Sequence, residues 1–357
     1  FDKDGTLPLH MAAASGNVEM TVLLGERFPS GASVRNNDGM LPLHLAIQAC
    51  ATPLADANGE LVHAVDFLAT ILKLFPGALA VPDSEGDLPL HIAAAALEGE
   101  VGVDVIYLLL DEADNQAKSE NGLRFIERTR IKTDDDSADD ETIATEATTD
   151  PSSALIEEDR IHCNMIRNEM GRTPLIKAIE AGSGWEVIEA IARGSGGVDA
   201  ALWPNAEKSN ALHLLLSEEY GDPQAALSIL KVSPEAAAAR NSDGILPIEM
   251  GCNNNMPKEV IIAMALVDSP VELTKKDGAK LKEGFGGSWI FLTCESDDQF
   301  SDIVEEIISI CTYDHLHELC FMKNEKGVPI IARATPLCRD ILQSSLESEE
   351  DEERCSI

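Results

Sequence analysis

Short apolar segments of two kinds alternate along most of the chain, and turn signals separate them. The first kind follows an Asp-Gly pair and has proline near its start, as in residues 7–14. The second kind has apolar residues at helical spacing, such as Val18 and Val22, and ends at a Phe-Pro pair such as Phe28-Pro29. Asp-Gly favours a tight turn, and proline fits the first turn of a helix but cannot continue one. The pattern therefore predicts a unit of turn, helix, helix and loop.

The same unit recurs along the sequence. The string Gly-x-Leu-Pro-Leu-His begins at Gly5, Gly39 and Gly86, and a fourth copy at Gly171 keeps the glycine, the proline and the first leucine after it. Weaker copies begin near Lys208, Gly244, Gly286 and Gly327. Successive spacings are 34, 47, 85, 37, 36, 42 and 41 residues. A period a little above ~33 residues is typical of stacked helical repeats, and the doubled interval indicates an inserted segment.

These motifs resemble those of ankyrin-repeat proteins, whose pattern runs Asp-x-x-Gly-x-Thr-Pro-Leu-His-x-Ala. The resemblance is strong in the first three copies, fair in the fourth and sixth, and weak in the others. It covers nearly the whole chain outside one insertion and the tail. It implies an all-α fold, a solenoid of about eight helix-turn-helix units with short β-turn or hairpin loops. It also implies a structural role for the motif histidines, whose imidazoles would bridge backbone groups of neighbouring loops: His10, His44, His91 and His213.

One departure from the family pattern is systematic. Leucine replaces the motif threonine, which in the family caps the first helix and contacts the histidine, and losing a cap costs about 0.5–2 kcal/mol. We expect the leucine to compensate by burying additional apolar area. The later copies also lose the histidine, so we expect them to be less regular. The replaced positions are Leu7, Leu41, Leu88 and Leu246, whereas Thr173 keeps the motif residue.

One acidic segment interrupts the repeats, and a second follows them. Ankyrin repeats 1–3 are predicted over residues 1–110 and repeats 4–8 over residues 161–346, separated by an acidic insertion over residues 111–160. The insertion carries 16 acidic and 5 basic residues up to residue 159. It is predicted to extend the preceding helix and then to be disordered, because it cannot bury enough apolar area to offset ordering. A local helix over residues 123–131 is the alternative, and residues 347–357 are predicted to form an acidic, disordered tail.

Three hydroxyl side chains in these segments precede acidic residues. That context resembles the preference of acidophilic kinases such as casein kinase 2, so they are candidate phosphorylation sites. The simpler interpretation is a solvated acidic loop, in which such sequences are common. The three residues are Thr133, Ser137 and Ser348.

The charge balance excludes several functions. The chain has 27 basic and 63 acidic residues, a net charge of −36, which disfavours nucleic acid and anionic membranes as partners. No run of 18 apolar residues is present, so no membrane insertion is expected.

The scattered cysteines and the lack of Asn-x-Ser/Thr acceptors favour an intracellular, cytoplasmic protein, which we expect to be monomeric. The first residue lies inside a repeat and is not methionine, so we interpret the sequence as a fragment.

The sequence contains few candidate motifs for catalysis, cofactor binding or metal binding. No Walker motif and no protein-kinase string is present, and the Gly-rich residues 284–288 are interpreted as a degenerate repeat turn. A zinc site is conceivable at Cys311, His315, His317 and Cys320, but the spacing matches no standard finger. We interpret Cys311 as a core residue instead. The sequence therefore predicts no enzyme, no cofactor and no metal.

Function is then expected on the surface. We predict a scaffold or adaptor that binds a protein partner with a basic surface in the concave ankyrin groove. The alternative is a regulatory ankyrin segment of a larger signalling enzyme, of protein-kinase or ubiquitin-ligase type. Candidate contacts on the turns are Arg35, Asn36, Asn37, Asp83, Ser84, Asn168, Trp203, Arg240, Asn241 and Ser242, and on the first helices Gln48, Glu180, Ser217 and Asn253. Trp203 is interpreted either as an exposed hot spot or as a filler under a degenerate repeat.

Overall fold

A computed structural model describes residues 2–55, 61–118, 162–205, 207–217, 219–254, 256–267, 305, 332 and 334–355. The chain divides into two compact units, Phe1–Ala200 and Ala201–Ile357. In the described ranges, no helix has the length and apolar character needed to cross a membrane.

The first unit consists mainly of paired helices. Each pair contains a short first helix that begins at proline and a second helix that runs beside it. The helices are α1 (Pro8–Ala14), α2 (Val18–Arg27), α3 (Pro42–Ala49), α4 (Ala64–Leu74), α5 (Pro89–Ala96), α6 (Gly99–Ala117), α7 (Pro174–Ala181), α8 (Trp185–Arg193) and α9 (Gly197–Leu202), the last of which reaches into the second unit. Single 3-10 turns lie at Pro29–Ser33, Pro76–Ala80 and Cys163–Met165.

The second unit repeats the arrangement in its described part. Its helices are α10 (Ala211–Leu215), α11 (Pro223–Val232), α12 (Pro247–Asn253), α13 (Lys258–Val267) and α14 (Pro336–Cys355), with a 3-10 turn at Pro234–Ala238. Gly286 of the predicted seventh repeat and Gly327 of the predicted eighth repeat lie outside the described residues, whereas α14 begins within the eighth. The candidate zinc ligands and the Gly-rich residues 284–288 lie outside them too.

The helix ends confirm the predicted local signals. Helix α2 ends at Arg27 and α4 ends at Leu74, each just before a Phe-Pro pair. The proline then begins a 3-10 turn that leads toward the next repeat. Proline lacks the N–H that a continuing helix would need, which is why the chain changes direction there.

An Asx residue begins every described repeat turn. In the second turn, Asn36 Oδ1 accepts the backbone N–H groups of Asp38 at 3.0 Å and Met40 at 2.8 Å. In the third, Asp83 Oδ1 accepts those of Glu85 and Asp87. A side-chain oxygen can thus replace a backbone acceptor and hold the turn closed. The corresponding residues of the other turns are Asp2, Asn168, Asn205 and Asn241.

The turn glycines adopt the left-handed conformation that the Asp-Gly pattern predicts. Gly39 and Gly86 have φ of 73° and 79°. The fifth copy has lost its glycine, and Lys208 takes the same conformation with φ of 57°. A side chain in that region is strained by roughly 1–2 kcal/mol, which fits a degenerate repeat.

Consecutive turns are joined by backbone hydrogen bonds. The N–H of Asn37 donates to the carbonyl of Asp4 at 2.9 Å, and that of Ser84 donates to the carbonyl of Asp38 at 2.9 Å. The same bond joins Ser242 to Glu207 within the second unit, at 2.9 Å. These bonds fix the register in which one repeat stacks on the next.

The substituted leucines behave as expected from the sequence. At the N-caps of α1, α3, α5 and α12 they make no side-chain capping bond, whereas Thr173 Oγ1 accepts the N–H of Ile176 at 3.3 Å. Leu41, Leu88 and Leu246 are at most 2% exposed. Each therefore contributes buried apolar area where the family has a capping hydroxyl, while Leu7 is only half-buried.

The motif histidines join adjacent repeats, as the resemblance implies. His91 Nδ1 accepts the N–H of Leu88 at 3.1 Å, and its Nε2 lies 3.0 Å from the carbonyl of Arg172 in the following turn. The histidines at positions 10 and 213 make the same pair of contacts. His44 Nδ1 accepts the N–H of Leu41, but its buried Nε2 has no hydrogen-bond partner among the described residues. The imidazole thus accepts the backbone N–H of the N-cap leucine itself, which is a different group from the helix N–H that Thr173 caps in the fourth repeat.

A small hairpin explains the long second repeat. Strands β1 (Leu54–Ala55) and β2 (Leu61–Val62) pair antiparallel between α3 and α4, with Leu54 opposite Val62 and Ala55 opposite Leu61. The sequence predicts short β-turn or hairpin loops, but it did not place a hairpin between the two helices of the second repeat. The spacing of 47 residues, against 34 for the first repeat, was its signal.

The acidic insertion leaves the stack continuous. Helix α6 extends to Ala117, and the repeat that follows the insertion docks directly on the repeat that precedes it. The N–H of Glu169 donates to the carbonyl of Glu85 at 3.0 Å, which is the same bond that joins uninterrupted repeats. Asp114 and His162, on either side of the insertion, approach to 3.6 Å. Thr133 and Ser137 lie outside the described residues.

Deleting residues 119–161 and joining the ends with a short Gly-Ser linker is therefore expected to leave the fold intact. The turn bonds and the His91 contact do not involve the deleted residues. Shortening the loop also lowers its closure entropy, by about 0.6 kcal/mol for each halving of its length. Urea unfolding followed by circular dichroism should give a free energy of unfolding equal to or slightly above that of the full chain. A large loss would show that the insertion is part of the folded core.

The acidic C-terminal segment also differs from expectation. The sequence predicts a disordered tail over residues 347–357, whereas helix α14 continues to Cys355 and includes Ser348. Pro336 begins this helix, and the segment that follows is rich in glutamate and leucine, which favour helix. Residue composition alone suggested disorder, and local helix propensity explains the difference.

Candidate interaction surface

Acidic side chains occupy the same position of successive turns. The third residue of each of the first three turns is Asp4, Asp38 or Glu85, and all three are exposed. Their backbone carbonyls accept the bonds that join neighbouring turns, so their spacing is fixed by the stack. We call these three residues the turn carboxylate row. Because successive repeats lie about 10 Å apart, the row presents negative charge at regular intervals.

A buried polar network joins the third and fourth repeats. Asp87 is 2% exposed, and its Oδ1 accepts Nδ2 of Asn168 at 2.8 Å. Its second oxygen pairs with the ammonium group of Lys177 on α7. Burial lowers the pKa of Lys177, while the carboxylates of Glu85, Asp83 and Glu180 oppose that shift. Both carboxylate oxygens of Asp87 are therefore bonded at the interface between the third and fourth repeats.

Two of the turn arginines bond to backbone carbonyls. The guanidinium group of Arg35 donates to the carbonyl of Gly39 at 2.9 Å and to that of Pro82 in the next repeat. Arg240 donates to the carbonyl of Gly244 at 2.5 Å and lies 3.8 Å from Glu249. Arg172 pairs with Glu180. These cations therefore stabilise turns, and the exposed carboxylates beside them dominate the local charge.

The predicted contact residues fall into three groups. Four side chains hold their own turns through the Asx contacts described above, which are Asn36, Asp83, Asn168 and Asn241. Three residues make side-chain bonds within the stack, which are the exposed Arg35 and Arg240 and the half-buried Glu180. The exposed group contains Asn37, Gln48, Ser84, Ser242 and Asn253.

Two further predicted residues are half-buried in the second unit. Trp203 follows the end of α9 and precedes Pro204, as the sequence indicated. Ser217 Oγ donates to the carbonyl of Leu214 at 2.7 Å, and it accepts the N–H of Tyr220. The serine thus closes the loop after α10. A role for either residue in partner binding remains a prediction.

The β-hairpin forms one wall of a groove of about 610 Å³. Opposite it lies the junction between α5 and α6, including Leu97 and Val101. Leu61 on the hairpin is 79% exposed and Val101 is 46% exposed. The groove is mostly apolar and lies away from the turns. The groove could not be predicted from the sequence, because a two-residue strand leaves no periodic signal.

The described cysteines have the properties of core residues. Cys50, Cys163, Cys252 and Cys338 are buried free thiols. Burial raises the pKa of the first three to about 12, so they stay protonated and weakly reactive. No group of three metal-ligating side chains occurs in the part of the chain that the structure describes.

Comparison with known proteins gives structural matches only. No protein-family model matches the sequence, and no curated protein matches it. A chain in the structure of a predatory endopeptidase from Bdellovibrio bacteriovorus in complex with an immunity protein is 14% identical, with a TM-score of 0.40. That alignment covers 73% of this chain and 98% of the other.

Two further matches are crystal structures of ankyrin proteins. One is an ankyrin repeat protein, 12% identical with a TM-score of 0.43, and the alignment covers 78% of this chain and 100% of that one. The other is an ankyrin repeat domain from Acinetobacter baumannii, 17% identical with a TM-score of 0.45, covering 73% and 97%. At these scores the fold assignment rests on the repeat geometry itself. Asx-closed turns, proline-initiated first helices, second helices that pack beside them and bonded turns define an ankyrin-repeat solenoid.

Proposed function

We propose that this chain is a non-enzymatic protein-interaction scaffold or adaptor that binds a basic protein segment along the turn carboxylate row. The row of Asp4, Asp38 and Glu85 is the observation that carries the proposal. Its side chains are exposed, regularly spaced and held on a backbone that the turn bonds fix. Fixed charges lose little entropy when a partner binds, which favours recognition by rigid turns over mobile loops. The scattered cysteines of the sequence favour an intracellular setting for this interaction.

The net charge supports a basic partner. A protein with a charge of −36 attracts cationic surfaces and repels acidic ones, which raises the rate of encounter with a basic partner.

The spacing of the row indicates the form of the partner. A peptide in the polyproline II conformation advances about 3.1 Å per residue and has three residues per turn. Residues three apart therefore lie on one face of the peptide and span nearly the roughly 10 Å between repeats. A segment with lysine or arginine at every third position would place one cation against each carboxylate. The exposed side chains of Asn37 and Ser84 lie on the same turns and can supply hydrogen bonds.

A synthetic peptide of repeated Ser-Ala-Lys units provides the test, with binding measured by calorimetry at low salt. The double variant Asp38→Ser, Glu85→Ser is expected to weaken binding about fivefold, since two exposed ion pairs contribute roughly 0.5 kcal/mol each. The matched control is Glu26→Ser, Glu100→Ser, which removes the same charge from exposed positions on the second helices. The control should retain most of the affinity.

Two results would contradict the proposal. Equal weakening by both double variants would show that the peptide responds to net charge and not to the row. Failure of the peptide to bind the unmodified chain would exclude a basic segment of this spacing. In native extract, a partner retained by the full chain should also be retained by the chain lacking residues 119–161. Loss of the partner on that deletion would place binding in the acidic insertion instead.

A further inference from the structure

The fourth turn breaks the charge pattern of the turn carboxylate row. Its third position holds Met170, whose side chain is 66% exposed. In the other five described turns this position holds an exposed carboxylate, namely Asp4, Asp38, Glu85, Glu207 and Asp243. A thioether therefore stands directly after the row, at a position where the repeats otherwise place negative charge.

Met170 is held in register with the row. The N–H of Glu169 donates to the carbonyl of Glu85 at 3.0 Å, and the equivalent bond between the second and third turns measures 2.9 Å. A Cβ atom added at Gly86 would lie 2.6 Å from the nitrogen of Glu169, so the backbones of the two turns are in close contact. The stack therefore places Met170 one repeat beyond Glu85.

Charged neighbours fix the side chain of Met170. Nη1 of Arg172 donates to its Sδ at 3.1 Å, and Nε of the same guanidinium group pairs with Glu180 on α7. A side chain that is held before binding loses less entropy when a partner covers it. The guanidinium group also opposes a second cation at this position, because like charges in contact are costly. The local charge thus favours an apolar group of a partner over a lysine.

We propose that Met170 determines specificity at the turn carboxylate row, by selecting a basic segment that carries an aromatic residue three positions from its last cation. The inference rests on the proposed function of the row. In a segment of polyproline II conformation, cations at every third position face Asp4, Asp38 and Glu85, and the next residue on that face reaches Met170. A thioether makes favourable contacts with an aromatic ring. Phenylalanine there adds affinity and fixes the register of the segment.

Four synthetic peptides of equal length test the inference on the full chain, with binding measured by calorimetry at low salt. The reference contains four Ser-Ala-Lys units. Two others replace its first or its last lysine by phenylalanine, since the direction of the segment sets which end faces Met170. The fourth replaces an internal lysine, so its composition is unchanged. One terminal phenylalanine peptide is expected to bind about two- to tenfold more tightly than the reference and the internal version.

Met170→Glu is the matched change in the chain. The variant is expected to fold, because other turns carry a carboxylate at this position. Its preference for phenylalanine over lysine should disappear. Met20→Glu adds the same charge at an exposed methionine of α2 and should retain the preference. In the unmodified chain, a saturating concentration of the preferred peptide should slow peroxide oxidation of Met170 and leave that of Met20 unchanged.

The outcomes separate this inference from the proposed function. If the reference peptide binds through Asp38 and Glu85 at least as tightly as both terminal phenylalanine peptides, the inference is wrong and the proposed function stands. The exposed Glu169 would then serve as the fourth carboxylate. A preference for phenylalanine that survives Met170→Glu would also overturn the inference, because the ring would then bind elsewhere. If no peptide responds to Asp38→Ser, Glu85→Ser, the proposed function fails and the inference fails with it.

Discussion

Replacing Gly86 by alanine is expected to destabilise the first unit by about 3 kcal/mol or more. Gly86 has φ of 79°, where a side chain is strained by roughly 1–2 kcal/mol. A Cβ atom there would also lie 2.6 Å from the backbone nitrogen of Glu169, whose N–H donates to Glu85 in the bond that joins the third and fourth repeats. Backbone cannot move aside as a flexible side chain can, so overpacking adds about 1–3 kcal/mol.

Gly171 provides a matched control for this substitution. Its φ is 75°, nearly that of Gly86, and a Cβ atom there would meet nothing within 4 Å. Gly171→Ala should therefore cost only the strain of about 1–2 kcal/mol. Urea unfolding of both variants gives the two free energies, and their difference measures the blocked contact between turns. Equal losses would mean that the two repeats do not stack as closely as the Glu169–Glu85 bond indicates.

Local features of the fold follow well from the sequence, because each depends on a few adjacent residues. The Phe-Pro pairs end the second helices, the Asp-Gly pairs place left-handed glycines, and the motif histidines bridge neighbouring turns. The Asx residues show the limit of this reasoning. The sequence alone indicates Asn36 as a variable surface position, whereas in the structure its side chain closes its turn. The signal was present, since an Asx residue stands three positions before each turn glycine.

Features that depend on stacking register could not be predicted in the same way. Asp87 and Lys177 are separated in sequence by the acidic insertion, and their pairing exists only because the third and fourth repeats dock directly. The turn carboxylate row is visible in the sequence once the turns are aligned. Its regular exposure, however, follows from the turn bonds, which depend on three-dimensional packing. The β-hairpin was detectable only as excess repeat length.

Acidification is expected to destabilise the stack through its neutral, buried histidines. Burial lowers the pKa of His44 and that of His91 to about 4, from 6.5, because a charged imidazole loses its hydration inside the repeat interface. For His44 the carboxylate of Asp83 opposes this shift, and for His91 the carbonyl of Arg172 does. Burial also lowers the pKa values of His10 and His213.

The sign of the effect follows from proton binding. The unfolded chain binds a proton at each of these histidines near pH 6.5, whereas the folded chain binds it only near pH 4. Between those values the unfolded state holds more protons, so the free energy of unfolding falls as the pH falls. The contribution is fully present above pH 6.5 and is lost progressively toward pH 4. A shift of this size corresponds to about 3 kcal/mol for each of the two histidines.

The measurement is the slope of unfolding free energy against pH from urea titrations between pH 6.5 and 5, compared with that of His44→Gln. The variant removes one titrating imidazole whose Nε2 has no partner among the described residues. Its slope should therefore be smaller, by an amount that corresponds to at most one fewer proton bound on unfolding. Titration of the many carboxylates also changes the slope, but it affects both proteins alike and cancels in the difference. His63→Gln, which alters an exposed histidine, is the matched control for the substitution. If the slope of His44→Gln equals that of the unmodified chain, burial of a neutral imidazole at this interface does not couple stability to pH.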